Sequence, residues 1–224
     1  MLQENMFFFD LDGPILNVTE RYYRVYSNIM IDAAYETIGK EEYWDAKRWK
    51  TSEIEILRRT GAETFYEEYY KKRLFLIESD YFLSFDSLQK GVIQVLEKFS
   101  KEKRLILVTL RKSSSQLDKE LSNLDLRKYF SHVLRSGKDF RPRWKIKYNL
   151  IKKFLQNNYD PNHVVIGDTE TDIIAGNELG LKTIAVLNGI RTKELLLQSN
   201  PDFICNSVED LLNLEWIDLI GKTN

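Results

Sequence analysis

Near its start the chain carries an apolar run, Met6-Phe-Phe-Phe9, with no polar residue to break it. Continuous apolar residues of high strand preference predict an interior parallel strand covered on both faces, since a half-exposed strand would alternate. The period then changes. Thr19 and Glu20 mark a helix start, and Tyr22, Tyr23, Tyr26, Ile29 and Met30 recur at helical spacing. Further helices are expected at 41–50, at 52–59 with Gly61 as its stop, and at 62–77, so the block from 18 to about 80 reads as entirely helical. Its aromatic residues, Tyr43, Trp44, Trp49, Tyr66, Tyr69 and Tyr70, are expected chiefly to pack helix against helix, with a few left to line a pocket.

From about Ser87 onward, helical patterns alternate with short apolar runs. A helix through Val92, Val95, Leu96 and Phe99 leads to a strand at 104–109, and one through Leu117, Leu121 and Leu124 leads to a strand at 132–135. Helix 147–156 precedes strand 163–167, helix 170–179 precedes strand 182–187, and a last unit follows with helix 192–198, strand 202–205 and helix 208–212. Such alternation is the signature of α/β architecture with a mainly parallel sheet.

Length and composition narrow the class. With 224 residues the chain can hold one large domain or a core plus an appendage, and 43% hydrophobic with 30% charged residues is the balance of a soluble globular protein. No stretch has the apolar length of a membrane span, and Met1-Leu-Gln-Glu-Asn5 lacks the basic region of a secretory signal, so a cytoplasmic protein without a membrane partner is expected. The single cysteine, Cys205, lies in a short apolar run and reads as core filler rather than nucleophile. A net charge of -1 argues against a nucleic-acid partner. Arg141, Arg143, Lys145 and Lys147 form a local basic cluster, either a solvated loop or a place for one small anion.

Once the strands are placed, polar groups fall at their carboxyl ends, the edge where ligands bind in open α/β sheets. Asp10 and Asp12 follow the first strand, Thr109 ends the next, and Asp168 follows Gly167, while Lys147 near a helix start has the reach to join them. Three acids, a hydroxyl and an ammonium suit phosphoryl transfer through an aspartyl-phosphate. In that scheme Asp10 attacks phosphorus, and Asp12 protonates the leaving oxygen and then deprotonates water. Asp10 and Asp168 offer the oxygen ligands Mg²⁺ prefers, with waters and the backbone carbonyl of Asp12 completing the set. Thr109 and neighbouring backbone N–H groups hold phosphoryl oxygens, and Lys147 offsets the charge of Asp10 and the phosphate.

These motifs resemble those of the haloacid dehalogenase-like superfamily, in the same order. Phe7-Phe-Phe-Asp-Leu-Asp-Gly13 is similar to its first motif, Leu105-Ile-Leu-Val-Thr109 to the second, Lys147 to the third and Gly167-Asp-Thr-Glu-Thr-Asp172 to the fourth. The resemblance implies a three-layer α/β/α, Rossmann-like core with an inserted all-helical cap, of the kind found in phosphoglycolate-phosphatase-like members. It divides the chain into core at 1–17, cap at 18–84 and core again at 85–224. Caps of this kind close over the site and restrict substrates to small molecules. Dehalogenases resembling this fold lack an acid at the position of Asp12, so its presence favours a phosphatase acting on a small phosphorylated metabolite. A phosphosugar mutase and a non-catalytic binding scaffold are the alternatives.

Pro14 departs from the threonine or valine more usual in the family, which bears on how the turn into the cap moves. Lys145 is the alternative to Lys147 as the site lysine. Asp172 is expected either as a metal ligand or as a support to one, with a dipole-favoured helix start as the bland alternative. Leu110 and Arg111 are candidate substrate contacts beside Thr109, Arg111 with a solvated charge as its alternative, and Thr169 is a candidate helix cap. His132 and His163 read as structural or surface residues. Substrate identity and oligomeric state are not specified by any of these features.

Overall fold

The computed structural model describes residues 5–137, 140–156 and 158–213. The extreme ends of the expected core segments 1–17 and 85–224, including the first four of the residues weighed as a signal sequence, lie outside the described residues. Six parallel strands form the main sheet: β1 (Met6–Phe9), β4 (Arg104–Thr109), β5 (His132–Arg135), β6 (Val164–Gly167), β7 (Lys182–Val186) and β8 (Phe203–Cys205), in the order β5-β4-β1-β6-β7-β8. The two intervening strands, β2 (Leu16–Asn17) and β3 (Ser87–Leu88), form a separate antiparallel ribbon that no periodicity announced.

The phenylalanine run explains why β1 is central. Phe7 and Phe9 pack on one side of the sheet with Val95, Leu96 and Phe99 of α6 (Val92–Glu102) and Leu121 of α7 (Ser114–Asn123). Met6 and Phe8 face the other side, against Ile151 and Leu155 of α8 (Trp144–Leu155). Every side chain of β1 is therefore buried, each phenylalanine contributing about 1.5–3 kcal/mol of transfer free energy, and helices cover both faces to give three layers. The chain places β4 and β5 on one side of β1 before crossing to β6 on the other. That reversal leaves a crevice at the carboxyl end of β1.

Between β2 and β3 the chain is helical: α1 (Thr19–Asp32), α2 (Lys40–Arg48), α3 (Glu53–Arg58), α4 (Tyr66–Leu76) and α5 (Asp80–Leu83). The expected helix 62–77 starts as a 3₁₀ turn, Glu63–Phe65, before α4 begins. These helices have a hydrophobic cluster of their own, including Val25, Tyr26, Ile29, Tyr43, Ile56, Leu57 and Tyr69, with Tyr26 stacked on Tyr43 at 4.6 Å. Because β2 pairs with β3, both crossings into this helical segment lie side by side.

Of the remaining elements, α9 (Glu170–Glu178) and α10 (Lys193–Leu197) lie close to expectation. The final expected helix is a 3₁₀ segment, Val208–Asn213. His163 falls just outside β6, where its buried Nδ1 accepts the Met6 N–H at 3.1 Å. His132 lies on β5 at the surface, and Cys205 is buried without a partner. Among the described residues no helix is long and apolar enough to cross a membrane.

Candidate active site

The carboxyl ends of β1, β4 and β6 deliver Asp10, Thr109 and Asp168 to one crevice. The Asp10 N–H donates to the Ile166 carbonyl at 2.9 Å, which extends the ladder one residue past β1 and fixes where the carboxylate stands. Beyond it the chain doubles back, with Leu16 N–H donating to the Leu11 carbonyl at 3.0 Å and Gly13 N–H to the Leu16 carbonyl at 2.9 Å. Pro14 is buried within this turn. Gly13 has φ of +112°, and a Cβ there would lie 2.0 Å from Asp168 Oδ2, so both conformation and space require glycine. Gly189 also approaches Asp168, and a Cβ there would come within 2.1 Å of the same oxygen. The Asp168 carboxylate is thus cradled by two backbone segments.

Lys147 completes the cluster. Helix α8 begins at Trp144 rather than 147, which puts Lys147 inside its first turn on the buried face with Ile146 and Ile151. Its Nζ lies 2.7 Å from Asp10 Oδ1 and also bonds Asp172 Oδ1. The other Asp172 oxygen accepts from the Thr169 hydroxyl at 2.7 Å and from the Thr169 N–H at 3.2 Å, so this acid caps α9 and steadies the lysine at once. Lys145 is exposed, with its Nζ 5.6 Å from the centre of the Trp144 ring. Of the two lysines, Lys147 is the one that reaches Asp10.

One carboxylate oxygen each from Asp10, Asp168 and Asp172 lies within 4.8 Å of the other two, and all three residues are buried. Burial pushes Asp10 up to about 7 despite the pull of Lys147. Burial, then the neighbouring Asp10 and Asp172, raises Asp168 well above the usual carboxylate range. For Lys147 burial works in the opposite direction, yet Asp10 and Asp172 hold it above the ordinary lysine value. Three carboxylates against one ammonium leave an uncompensated negative charge in a buried place, which is costly unless a cation joins them. Asp168 Oδ2 accepts the Ile190 N–H, whereas its buried Oδ1 has no hydrogen-bond partner among the described residues. An all-oxygen donor set with one acceptor unused fits a hard divalent cation such as Mg²⁺.

Asp12 is treated differently. Its Oδ2 accepts from Arg21 Nη2 at 2.9 Å and from Arg111 Nε at 3.0 Å, and its Oδ1 from Arg111 Nη2 at 2.7 Å. Although burial opposes it, these guanidiniums, Arg111 first, hold the Asp12 carboxyl well below the usual range. Asp86 joins both arginines from the other side, at 3.1 Å from Arg21 Nε and 3.1 Å from Arg111 Nη2, and Glu120 lies 3.3 Å from Arg111 Nη2. Burial lifts Asp86 to about 8 and raises Glu120, so three carboxyls facing two guanidiniums retain a proton near neutral pH. Arg111 is therefore no solvated charge. Arg21, Asp86 and Glu120 were not singled out in the sequence, yet Arg21 sits in the apolar stripe of Val18, Val25 and Ile29, and Glu120 in that of Leu117, Leu121 and Leu124. A charge in such a stripe was the available signal.

A cavity of about 880 Å³ opens over Asp10 and Lys147, between the sheet edge and the helical segment. Thr109 and Leu110 line it, and the Thr109 hydroxyl accepts the Arg111 N–H at 3.2 Å. Opposite, Lys47 and Arg73 share Glu53, at 2.6 and 3.3 Å, and flank the Tyr22 ring at 5.8 and 5.5 Å. Of the aromatic residues singled out in the sequence, Tyr66 and Tyr70 line the cavity, while Tyr43 and Tyr69 belong to the helical cluster.

A phosphoglycolate phosphatase of Synechococcus elongatus is 22% identical over 205 residues, covering 91% of this chain and 93% of its own. Among solved structures, a haloacid dehalogenase-like family protein of Streptococcus pneumoniae has a TM-score of 0.77 at 19% identity, covering 95% of this chain and 99% of that one. The HAD-hydrolase YfnB of Bacillus subtilis, described as bound to magnesium with interdomain movement, has a TM-score of 0.65 at 17% identity, covering 94% and 98%. The structural likenesses speak for the fold. The family model described as haloacid dehalogenase-like hydrolase matches residues 7–186, a stretch that holds both aspartates of the first turn, Thr109, Lys147 and Asp168, and the chain belongs to that family.

Proposed function

We propose that the protein is a Mg²⁺-dependent phosphatase that hydrolyses a small-molecule phosphate monoester through an aspartyl-phosphate on Asp10. The observation that carries this reading is the Lys147 Nζ at 2.7 Å from Asp10, beside an Asp168 oxygen that no protein donor satisfies. Asp10, Asp168 and the Asp12 carbonyl would hold the metal, with Asp172 supporting them through Lys147. When bound, Mg²⁺ supplies the positive charge that lets an anionic carboxylate meet an anionic ester.

The chain's own groups then divide the work. Lys147 orients Asp10 and neutralises oxygens of the incoming phosphoryl group, while Thr109 and adjacent N–H groups hold the others. An Asp10 oxygen forms the new bond to phosphorus as the ester P–O bond breaks, and the departing oxygen takes a proton from Asp12. Asp12 recovers a proton from the water that later releases phosphate from Asp10. In the arrangement described here Asp12 is an ionised acceptor, the form required for that water step. Its donor form requires the two arginines to loosen.

In this reading residues 18–84 are a cap over the site, and the excess of basic side chains on the cavity wall suits a small metabolite with an anionic body. The phosphoglycolate phosphatase among the relatives is consistent with that class. The test is release of inorganic phosphate from a panel of phosphate esters with Mg²⁺. Turnover is expected, with Asp10→Asn lowering it by on the order of 10⁴-fold or more. No turnover of the panel or of an aryl phosphate would sink the proposal, and phosphoryl transfer between sugar phosphates outpacing phosphate release would replace it with a mutase.

A further inference from the structure

Asp12, Arg21, Asp86 and Arg111 form a ring in which each carboxyl lies within ion-pair distance of both guanidiniums. The four residues come from different parts of the chain. Asp12 belongs to the turn after β1 and Arg111 follows β4. Arg21 lies on α1, just after the helical segment begins, and Asp86 precedes β3, where that segment ends. Arg21 also donates to the Ile77 carbonyl at 3.3 Å, just past the end of α4. The side chains of Arg21 and Asp86 are 1% and 0% exposed, so water does not compete for the contact between them, while Asp12 keeps 19% exposure toward the cavity. Charge-assisted contacts in a dry site hold orientation far better than exposed pairs do.

We infer that Arg21 and Asp86 are positioning residues for Asp12: through the ring, the two ends of the helical segment set where the Asp12 carboxylate points. Asp86 does not line the cavity, and Arg21, which does, has its guanidinium engaged by Asp12, Asp86 and the Ile77 carbonyl. Asp86 acts on Asp12 only through the arginines, and Arg21 acts on it directly at 2.9 Å. The inference rests on the assignment of Asp12 as proton donor to the leaving oxygen. It places the accuracy of that proton transfer under the control of residues outside the motifs that carry the chemistry.

Leaving-group chemistry separates this from a merely structural role. An alkoxide departs only with a proton, whereas 4-nitrophenolate departs without one, so a misaimed donor should harm alkyl phosphates selectively. The experiment compares kcat/KM for 2-phosphoglycolate or glycerol phosphate with that for 4-nitrophenyl phosphate, in full-length Asp86→Asn, Arg21→Lys and Asp12→Asn. For Asp86→Asn and Arg21→Lys we expect the alkyl esters to lose on the order of 10²-fold, with the aryl ester changing less than about threefold. Asp12→Asn, as benchmark, should show the same bias more steeply. Equal losses on both ester types in Asp86→Asn and Arg21→Lys, or no loss, overturn the inference while leaving the Asp12 assignment intact if the benchmark holds. Absence of bias in Asp12→Asn overturns the assignment itself and the inference with it. Arg21→Lys keeps the charge, and so serves where Asp86→Asn fails to fold.

Discussion

Asp10 and Asp12 are separated by one leucine, yet the protein surrounds them in opposite ways. Asp10 shares a single ammonium with Asp172 in the company of Asp168, and burial pushes it up to about 7. Two guanidiniums enclose Asp12 and keep it ionised against the same burial. The first cluster is electrostatically incomplete, with three carboxyls sharing one ammonium. In the second each arginine spans two carboxyls at ion-pair distance, so charge is matched there even though Arg21 Nε and Asp86 Oδ1 make no hydrogen bond. Incompleteness is what a metal site needs before its metal arrives, whereas matched charge fixes a geometry. Residue type alone does not separate these two aspartates; the cations that the fold brings to each of them do.

The contrast can be broken at several points. Lys147→Met removes the one cation of the first cluster, and in EDTA we expect a loss of roughly 3 kcal/mol at pH 8 by urea denaturation. That loss should shrink at pH 5, where the carboxyls take up protons; an equal loss at both values would mean that packing, not charge, holds Lys147. Adding Mg²⁺ tests the other half of the imbalance. At a hundredfold excess over Kd the wild type should gain about 2.7 kcal/mol, or roughly 5–10 °C in melting temperature, and Asp168→Asn should gain far less. The ring makes a prediction of opposite kind. Asp86 is raised from the 3.8 of an unfolded chain to about 8, so its proton is bound more tightly in the folded state. Its contribution is full below pH 4 and is lost as pH climbs through 8, so Asp86→Asn should flatten the fall in melting temperature across that window. An unchanged slope would show that Asp86 is ionised throughout. The smallest effect belongs to Lys119 and Asp80, which also tie the core to the helical segment but with side chains 55% and 56% exposed. Lys119→Ala should shift stability by less than about 0.5 kcal/mol, and a larger shift would undo the claim that burial distinguishes these links.

Much of this was legible in the sequence because strands covered on both faces leave unbroken apolar runs. The strand at 104–109 was delimited by such a run, whereas the partly exposed edge strand at 132–135 was placed by the alternation of helices and strands around it. Lys147 was preferred to Lys145 by its place before Leu150 and Ile151, but the choice stayed open until the helix put Lys147 on its buried face with Ile151. The β2–β3 ribbon was not legible, since two residues carry no period and its pairing joins positions some seventy residues apart. Asp86 escaped for a related reason: it stands alone between Phe85 and Ser87, and its partners Arg21 and Arg111 come from two distant segments. Arg21 and Glu120 were legible in principle, as charges interrupting apolar stripes, but a lone charge on an amphipathic helix is ordinarily read as its solvated side. Sequence pattern reveals what faces the core and leaves open which ions meet there.

The β2–β3 ribbon also makes the helical segment a natural unit of exchange. Both of its connections pass through one pair of adjacent strands, so a recombination at Asn17 and Ser87 would lift out the whole segment without cutting any strand of the main sheet. Such a transplant would remove Arg21 and Asp86 along with it, and leave Asp12 facing Arg111 alone. A foreign segment would have to arrive with its own guanidinium and carboxylate at these two places, which limits which helical domains this core can borrow.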